Sequence, residues 1–464
     1  MPEFVNREKE LELLRELYNS DEPELAVIYG RRRLGKTALV KKSVEERDDV
    51  VVFQARQKTS TLQLRQFIDV ASDSYPGLTK IREDWEPVLS YLAEQDGIVV
   101  LDEFPYLVEQ DESLPSVVQA LFDHELNGSS ATFVLLGSSI SMMEEVALLG
   151  NSPLYGRPSL KLDIRQLQFG AATEFFADGY SPEEQVFAWG IFGGVPYYLE
   201  ELSPDRSLGE NVRRNILSRH GTLHDEPDYV LRMELKEPTR YFSILEAISA
   251  GNTSRNEIAN STGIEYNQLS KYLDRLSRLR LVDRHVPVTE EKERSKRSRY
   301  LIRDPFFRFW FRFVYGAGDR YEALGEDAYH EIVEPKLADF VSRSFEELCC
   351  TGVRGLYPEY TFTDVGGWWY GEHEIDVVGF TKEGTLVLGE CKFQDSKQGY
   401  GSFSKLQEHA GELRWTPEGS GERDEEYALF SRSGFKNSVE EAERERDDLR
   451  LFTVEDVVST LNGN

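Results

Sequence analysis

Cysteine is nearly absent: of 464 residues only Cys349, Cys350 and Cys391 carry a thiol. None forms a Cys-x-x-Cys pair, and adjacent cysteines seldom bridge each other. A disulfide framework or a structural zinc site is therefore not expected; reduced, buried thiols are. Long apolar runs are also missing. No stretch approaches the roughly 18 apolar residues of a membrane span, so no membrane partner is expected. The opening MPEFVNREKELELL is charged from the start, unlike a secretory signal. A cytoplasmic location follows as the expectation. The length leaves room for roughly two to four domains.

Lysine is scarce too, supplying 17 of 54 basic residues against 83 acidic ones, for a net charge of −29. Such acidic, lysine-poor composition resembles that of halophilic proteins, whose hydrated carboxylates maintain solubility in salt. The overall charge thus says little about partners. It makes any local basic cluster more informative.

The apolar run Glu24–Gly30 predicts a central strand. It feeds Gly30-Arg31-Arg32-Arg33-Leu34-Gly35-Lys36-Thr37 and then a helical stretch. Strand, glycine-rich loop and helix start form the context of a phosphate-binding loop. Backbone N–H groups and the helix dipole would cradle the phosphates of a nucleotide. Lys36 would reach the β and γ phosphates, and Thr37 would hold Mg²⁺. A second run, GIVVLDEF, delivers Asp102 and Glu103 to a strand end, where ligands bind in open α/β sheets. Asp102 would coordinate Mg²⁺, and Glu103 would polarise the attacking water. A third strand, Ala131–Ser139, ends in Ser138, read either as a γ-phosphate sensor or as a simple cap. Arg157 is a candidate finger or sensor arginine, in cis or in trans, and could equally be structural. Phe4–Leu17 predicts an amphipathic helix beside the sheet.

Together FVNREKEL, GRRRLGKT, LDEF, GSSISMM and LYGR resemble the archaeal ATPase family, a P-loop group related to AAA+ and STAND proteins. The resemblance spans about residues 2–235. It implies a parallel sheet with an additional strand, an adenine-side N-terminal segment, ATP rather than GTP, and a helical lid.

From Thr239 three short helical patterns follow, with a Ser254 cap and a turn at Gly263, then two strand-like segments: a winged helix-turn-helix pattern. Tyr266, Asn267, Gln268, Ser270 and Lys271 would form its exposed recognition face. From the loop between the strands through the second strand, residues 291–303 carry Lys292, Arg294, Lys296, Arg297, Arg299 and Arg303 against Glu291 and Glu293, a local +4. This wing suits a DNA backbone; a protein-binding module is the alternative. The aromatic DPFFRFWFRFVYG predicts a packing joint and resembles the joint of the same ATPase family.

The last 130 or so residues predict helix, three strands, helix, strand, the order of PD-(D/E)XK nuclease-like folds. Residues two apart on a strand share a face, so Glu390 and Lys392 of LVLGECKF point together and Cys391 points away. Asp376, on the preceding hairpin strand, falls beside Glu390. Two such carboxylates suit Mg²⁺ or Mn²⁺, which activates water for phosphodiester chemistry. Lys392 would orient that water, Glu346 would add a ligand, and Gln407 would support the site. The tail also resembles the nuclease-like domain common in these archaeal ATPases.

The expected organisation is α/β throughout: a P-loop parallel-sheet ATPase core at 1–167, helical lid at 168–236, winged helix-turn-helix at 237–303, aromatic joint at 304–330 and restriction-endonuclease-like domain at 331–464. The expected function is ATP binding and hydrolysis coupled to binding of double-stranded DNA and its metal-dependent cleavage. The alternatives are a nucleotide-dependent switch or scaffold and a transcription regulator with a non-cleaving tail. Protein partners and self-association stay open.

Overall fold

The computed structural model describes residues 4–126, 128–235, 237–416 and 423–463. The expected segment limits at 1, 236 and 464 lie outside the described residues. Two compact units are present, Phe4–Gln166 and Leu167–Asn464.

The first unit is built on five parallel strands: β1 (Glu24–Tyr29), β2 (Val50–Gln54), β3 (Ile98–Asp102), β4 (Thr132–Gly137) and β5 (Leu160–Asp163). Their order is β2-β3-β4-β1-β5. Burial explains the order. Strands β3 and β4 are buried at every position and β1 at its four inner ones, as strands covered on both faces must be. The outer strand β2 alternates between buried and partly exposed positions, and β5 buries only Leu162. Phe53, Phe67, Trp85, Leu101, Phe133 and Leu135 are part of the core beside the sheet. Because all strands run the same way, the loops after β1, β2, β3 and β4 leave at one edge. Ser138 and Ser139 lie just past β4, which stops at Gly137.

The second unit begins with helical segments and reaches three helices, Thr239–Ser249, Arg255–Thr262 and Tyr266–Arg278. A capping box between Ser254 and Glu257 starts the middle one, and Gly263 ends it at φ 68°, a left-handed conformation glycine accepts at no steric cost. Leu269, Tyr272, Leu273 and Leu276 form the buried face of the third. Strands β6 (Val282–His285) and β7 (Arg299–Ile302) pair antiparallel.

The segment between β6 and β7 does not stand free. It lies along β8 (Phe362–Tyr370). Val288 N–H donates to the Gly367 carbonyl at 2.9 Å. Trp369 Nε1 donates to the Arg297 carbonyl at 3.0 Å, and Arg297 Nη1 returns a bond to the Trp369 carbonyl at 3.1 Å. Arg297 stacks over Tyr370 at 4.8 Å and Arg299 over Trp369 at 4.4 Å, while Arg299 pairs with Glu374. A free basic loop was the expectation. Two of its arginines are instead spent on an edge strand, whose open backbone and aromatic side chains call for a cover.

The aromatic joint forms Pro305–Phe309 and Trp310–Val314. All six of its Phe and Trp side chains are buried. They meet Tyr198, Phe242 and Phe340 on three other helices. The long helix Glu334–Leu356 leads to a mixed sheet in the order β12-β11-β10-β9-β8, with β9 (His373–Thr381), β10 (Thr385–Lys392), β11 (Asp424–Ser431) and β12 (Leu449–Thr453). β8, β9 and β10 are antiparallel; β10, β11 and β12 are parallel.

Phe133 is fully buried in the central strand β4 and meets Phe122 edge-on at 5.8 Å. Phe133→Ala is expected to cost the first unit about 3–5 kcal/mol, read as a fall in its denaturant midpoint; a midpoint unchanged from the parent would contradict this packing.

Candidate functional site

Residues Gly30–Thr37 wrap from the end of β1 into the helix Lys36–Ser43. Gly30 sits at φ 152°, and a Cβ there would lie 2.3 Å from the Ile164 carbonyl oxygen. Gly35 sits at φ 82° and opens the helix. Arg33 is also left-handed, at φ 69°. Lys36 Nζ donates to the carbonyls of Gly30 and Arg31, at 2.9 Å each, which holds the ammonium inside the loop.

Thr37 and Asp102 meet: Thr37 Oγ1 donates to Asp102 Oδ2 at 2.7 Å. Gln54, at the end of β2, reaches the same oxygen at 3.4 Å, and Glu103 N–H donates to Oδ1 at 2.9 Å. Burial raises the Asp102 pKa and Glu103 adds to the rise, while the Thr37 bond opposes them. Glu103 itself is left-handed, at φ 53° and ψ 43°, a conformation that costs about 1–3 kcal/mol for a non-glycine residue. Its carboxylate accepts from Ser138 Oγ at 2.6 Å and lies 3.9 Å from Arg32. Arg32 donates in turn to the Tyr106 hydroxyl at 2.7 Å. Sequence reasoning missed Gln54 and Tyr106; Tyr106 stands three residues past Glu103, and only the turn after β3 brings it back to the loop.

Arg157 is placed elsewhere. Leu160 lies opposite Ala26 near the start of β1, so Arg157 sits at the sheet edge away from the loop. It makes a two-pronged pair with Asp123, at 2.9 and 2.7 Å. The N-terminal segment does approach the loop side: Arg7 donates to the Arg165 carbonyl just past β5.

In the second unit the ladder between β9 and β10 ends at Val377 and Gly389. Beyond it the Asp376 carboxylate takes over, accepting the Cys391 N–H at 2.8 Å. Glu390 is buried and pairs with Lys392 at 2.5 Å. Burial pushes the Asp376 pKa well above the usual carboxylate range, and Glu346 and Glu390 push it further. Burial also raises Glu346 to about 7, helped by Glu374 and Glu347 and opposed by Arg343 and Lys392. Burial works against the Lys392 ammonium, but Glu390 outweighs it and the pKa stays raised. Glu346, Asp376, Glu390 and Lys392 therefore share one electrostatic neighbourhood.

They do not form a closed metal cage. Among the described residues no three His, Cys, Asp or Glu side chains converge closely enough to hold a metal ion. Each of two expected ligands has a local partner instead: Asp376 accepts from the backbone of β10, and Glu390 pairs with Lys392. Gln407 is half-buried on helix Tyr400–Glu412. The three thiols are free and gather here. Cys391 and Cys349 are buried neighbours, and Cys350 Sγ lies 3.4 Å from the Asp376 carbonyl.

The raised Glu346 pKa has a signed consequence. Its neutral form stabilises the folded chain fully below the unfolded value, and that stability is lost as pH climbs through about 7. Glu346→Gln is expected to flatten the fall in urea midpoint between about pH 5 and 8; parallel pH profiles for variant and parent would contradict the assignment.

Among the described residues no helix is long and apolar enough to cross a membrane. A family model for an ATPase domain found predominantly in Archaea matches residues 4–202. A second model, for archaeal and bacterial proteins of unknown function, matches residues 310–402. An uncharacterised protein of Methanocaldococcus jannaschii is 34% identical over 400 residues, covering 85% of this chain and 88% of the relative. An uncharacterised ATP-binding protein of Pyrococcus abyssi is 26% identical over 280 residues, 50% of this chain and 82% of that one. A Walker-type ATPase of Pyrococcus abyssi of known structure aligns with a TM-score of 0.52 at 19% identity, over 67% of this chain and 96% of its own. The chain belongs to the archaeal family of P-loop ATPases that couples this ATPase domain to the second matched domain.

Proposed function

We propose that the chain binds and hydrolyses ATP at the loop edge of its first sheet and uses that cycle to control binding and metal-dependent cleavage of duplex DNA by its second unit. The observation that carries the reading is the coexistence of two charged sites in one chain: Lys36, Thr37, Asp102 and Glu103 in one, Glu346, Asp376, Glu390 and Lys392 in the other.

In the first site Lys36 neutralises the β and γ phosphates, helped by the loop N–H groups and Arg31, Arg32 and Arg33. Thr37 and Asp102 offer two hard oxygens at one point, a donor set that fits Mg²⁺. Glu103 takes the proton of the attacking water, and Ser138 orients it. Arg157 contributes to this site only in trans, after leaving Asp123. In the second site Asp376 and Glu390, with Glu346 beside them, are all-oxygen donors of the kind Mg²⁺ or Mn²⁺ takes. Such an ion, when bound, supplies charge neutralisation and a more acidic water. Lys392 then holds an anionic phosphodiester oxygen or that water in place.

The middle segment reads as a winged helix-turn-helix whose duplex contacts come from the exposed Tyr266, Asn267, Gln268 and Lys271 and the exposed Lys292, Arg294 and Lys296. Arg297 and Arg299 are engaged on β8. That engagement favours a second reading: a nucleotide-driven switch or scaffold with a non-cleaving tail. Transcription regulation is the third, and sequence-selective promoter binding lost in Asn267→Ala would select it.

Glu103→Gln is expected to bind ATP within a few-fold of the parent and lower kcat about 10²–10⁴-fold; unchanged turnover would remove Glu103 from the reaction. In plasmid nicking with ATP and Mg²⁺ or Mn²⁺, the parent should cut and Asp376→Asn and Glu390→Ala should not. Cutting by Glu390→Ala at the parent's rate, or no cutting by the parent, rejects the nuclease reading and leaves the switch.

A further inference from the structure

The aromatic joint holds more than packing. Between Pro305 and Val314 every residue is hydrophobic except Arg308 and Arg312. Both face one cavity of about 350 Å³ in the second unit, and Arg343 of the long helix lines it as well. Three guanidinium groups around one cavity are unusual in a chain of net charge −29, because like charges converge only where something anionic offsets them.

The protein supplies part of that offset. Glu347 accepts two bonds from Arg308, at 3.0 and 3.1 Å, and lies 3.3 Å from Arg343 Nε. Ser344 Oγ adds a further acceptor for Arg308 at 3.1 Å. Two of the three guanidiniums are thus held in fixed positions. Arg343 Nε is nevertheless buried without a hydrogen bond. Arg312 is exposed, and among the described residues it has no ion pair. One other carboxylate, the exposed Asp339, stands in the wall. The remaining charge is positive.

The other walls differ in kind. Ile248, Leu301, Ile302 and Phe340 give an apolar side, and Thr253 brings a hydroxyl. The volume lies at the small end of the range for ligand cavities, about 300–1,000 Å³. Guanidinium forks match phosphate oxygens in pairs, and fixed forks bind at a lower entropic cost than mobile ones. We infer that this cavity binds a phosphate monoester carried on a small, flat apolar body, of the size and chemistry of a nucleoside 5′-monophosphate, with Arg312 as the phosphate-seeking group and Arg343 beside it. The same chemistry exists free in solution and at the 5′-phosphorylated end of a nucleic-acid strand. All of its lining residues belong to the second unit, so it shares none with the ATP loop.

The test is equilibrium binding to the full chain carrying Lys36→Ala, which weakens nucleotide binding at the loop, with and without Arg312→Gln. The probes are AMP, adenosine, and a short single strand with a 5′-phosphate or a 5′-hydroxyl. AMP or the phosphorylated strand should bind, its unphosphorylated counterpart should not, and Arg312→Gln should weaken binding about ten-fold or more. Arg312 is exposed, so the variant should fold, which its thermal midpoint verifies. Binding of AMP identifies the free nucleotide as a source; binding of the phosphorylated strand alone identifies the strand end. Equal affinity with and without Arg312→Gln, equal binding of adenosine, or no binding of either phosphorylated probe up to about 1 mM overturns the inference.

Discussion

A carboxylate that is 2% exposed must have its partners supplied, and for Asp102 that requirement organises the first unit. Its two oxygens are met by the Thr37 hydroxyl, the Glu103 N–H and the Gln54 amide. Those groups come from the helix after the phosphate loop, the turn after β3 and the end of β2. The Glu103 N–H is adjacent in sequence, but Thr37 and Gln54 reach Asp102 only because the parallel strands bring their ends together, with Gln54 opposite Asp102. Glu103 itself sits in a left-handed turn, and its carboxylate accepts from Ser138. Stability and site are here one problem: the partners that make burial of Asp102 tolerable are the groups that surround the phosphate loop.

The second unit meets a similar demand differently. Where β9 and β10 part company, a backbone N–H at Cys391 would be orphaned, and the Asp376 carboxylate accepts it. Buried Glu390 needs a cation and has Lys392 two residues along the strand. Several carboxyl groups are thereby crowded at one sheet end, and their pKa values rise together. Such crowding costs stability and is typical of functional sites. The aromatic joint and the hairpin on β8 tie the helical middle to this sheet, so the +4 segment serves at least in part as a fastening.

Local sequence was most informative where the chemistry was local. The strand, loop and helix from Glu24 to Ser43 could be read from glycine positions and apolar runs, because φ and burial are decided within a few residues there. The central strands of the tail were legible from their apolar runs and the short turn at residues 382–384. What sequence concealed lies in long-range partners. Asp123 and Arg157 are 34 positions apart, and Arg297 and Trp369 are 72 apart. No periodicity announces either pair. A basic run in isolation suggests a solvated wing, and only the exposed edge of β8 turns two of its arginines inward. The ladder's end at Gly389 was equally hidden, since strand spacing alone continues the pairing and would set Asp376 squarely against Glu390.

The central claim is that Asp102 and Thr37 mark the place where ATP and its metal ion act. Calorimetric titration of ATP into the parent and into Asp102→Asn, each with and without Mg²⁺, tests it most directly. The account predicts that Mg²⁺ strengthens ATP binding to the parent and that Asp102→Asn loses that gain while still binding metal-free ATP. An equal gain from Mg²⁺ in both proteins would contradict it.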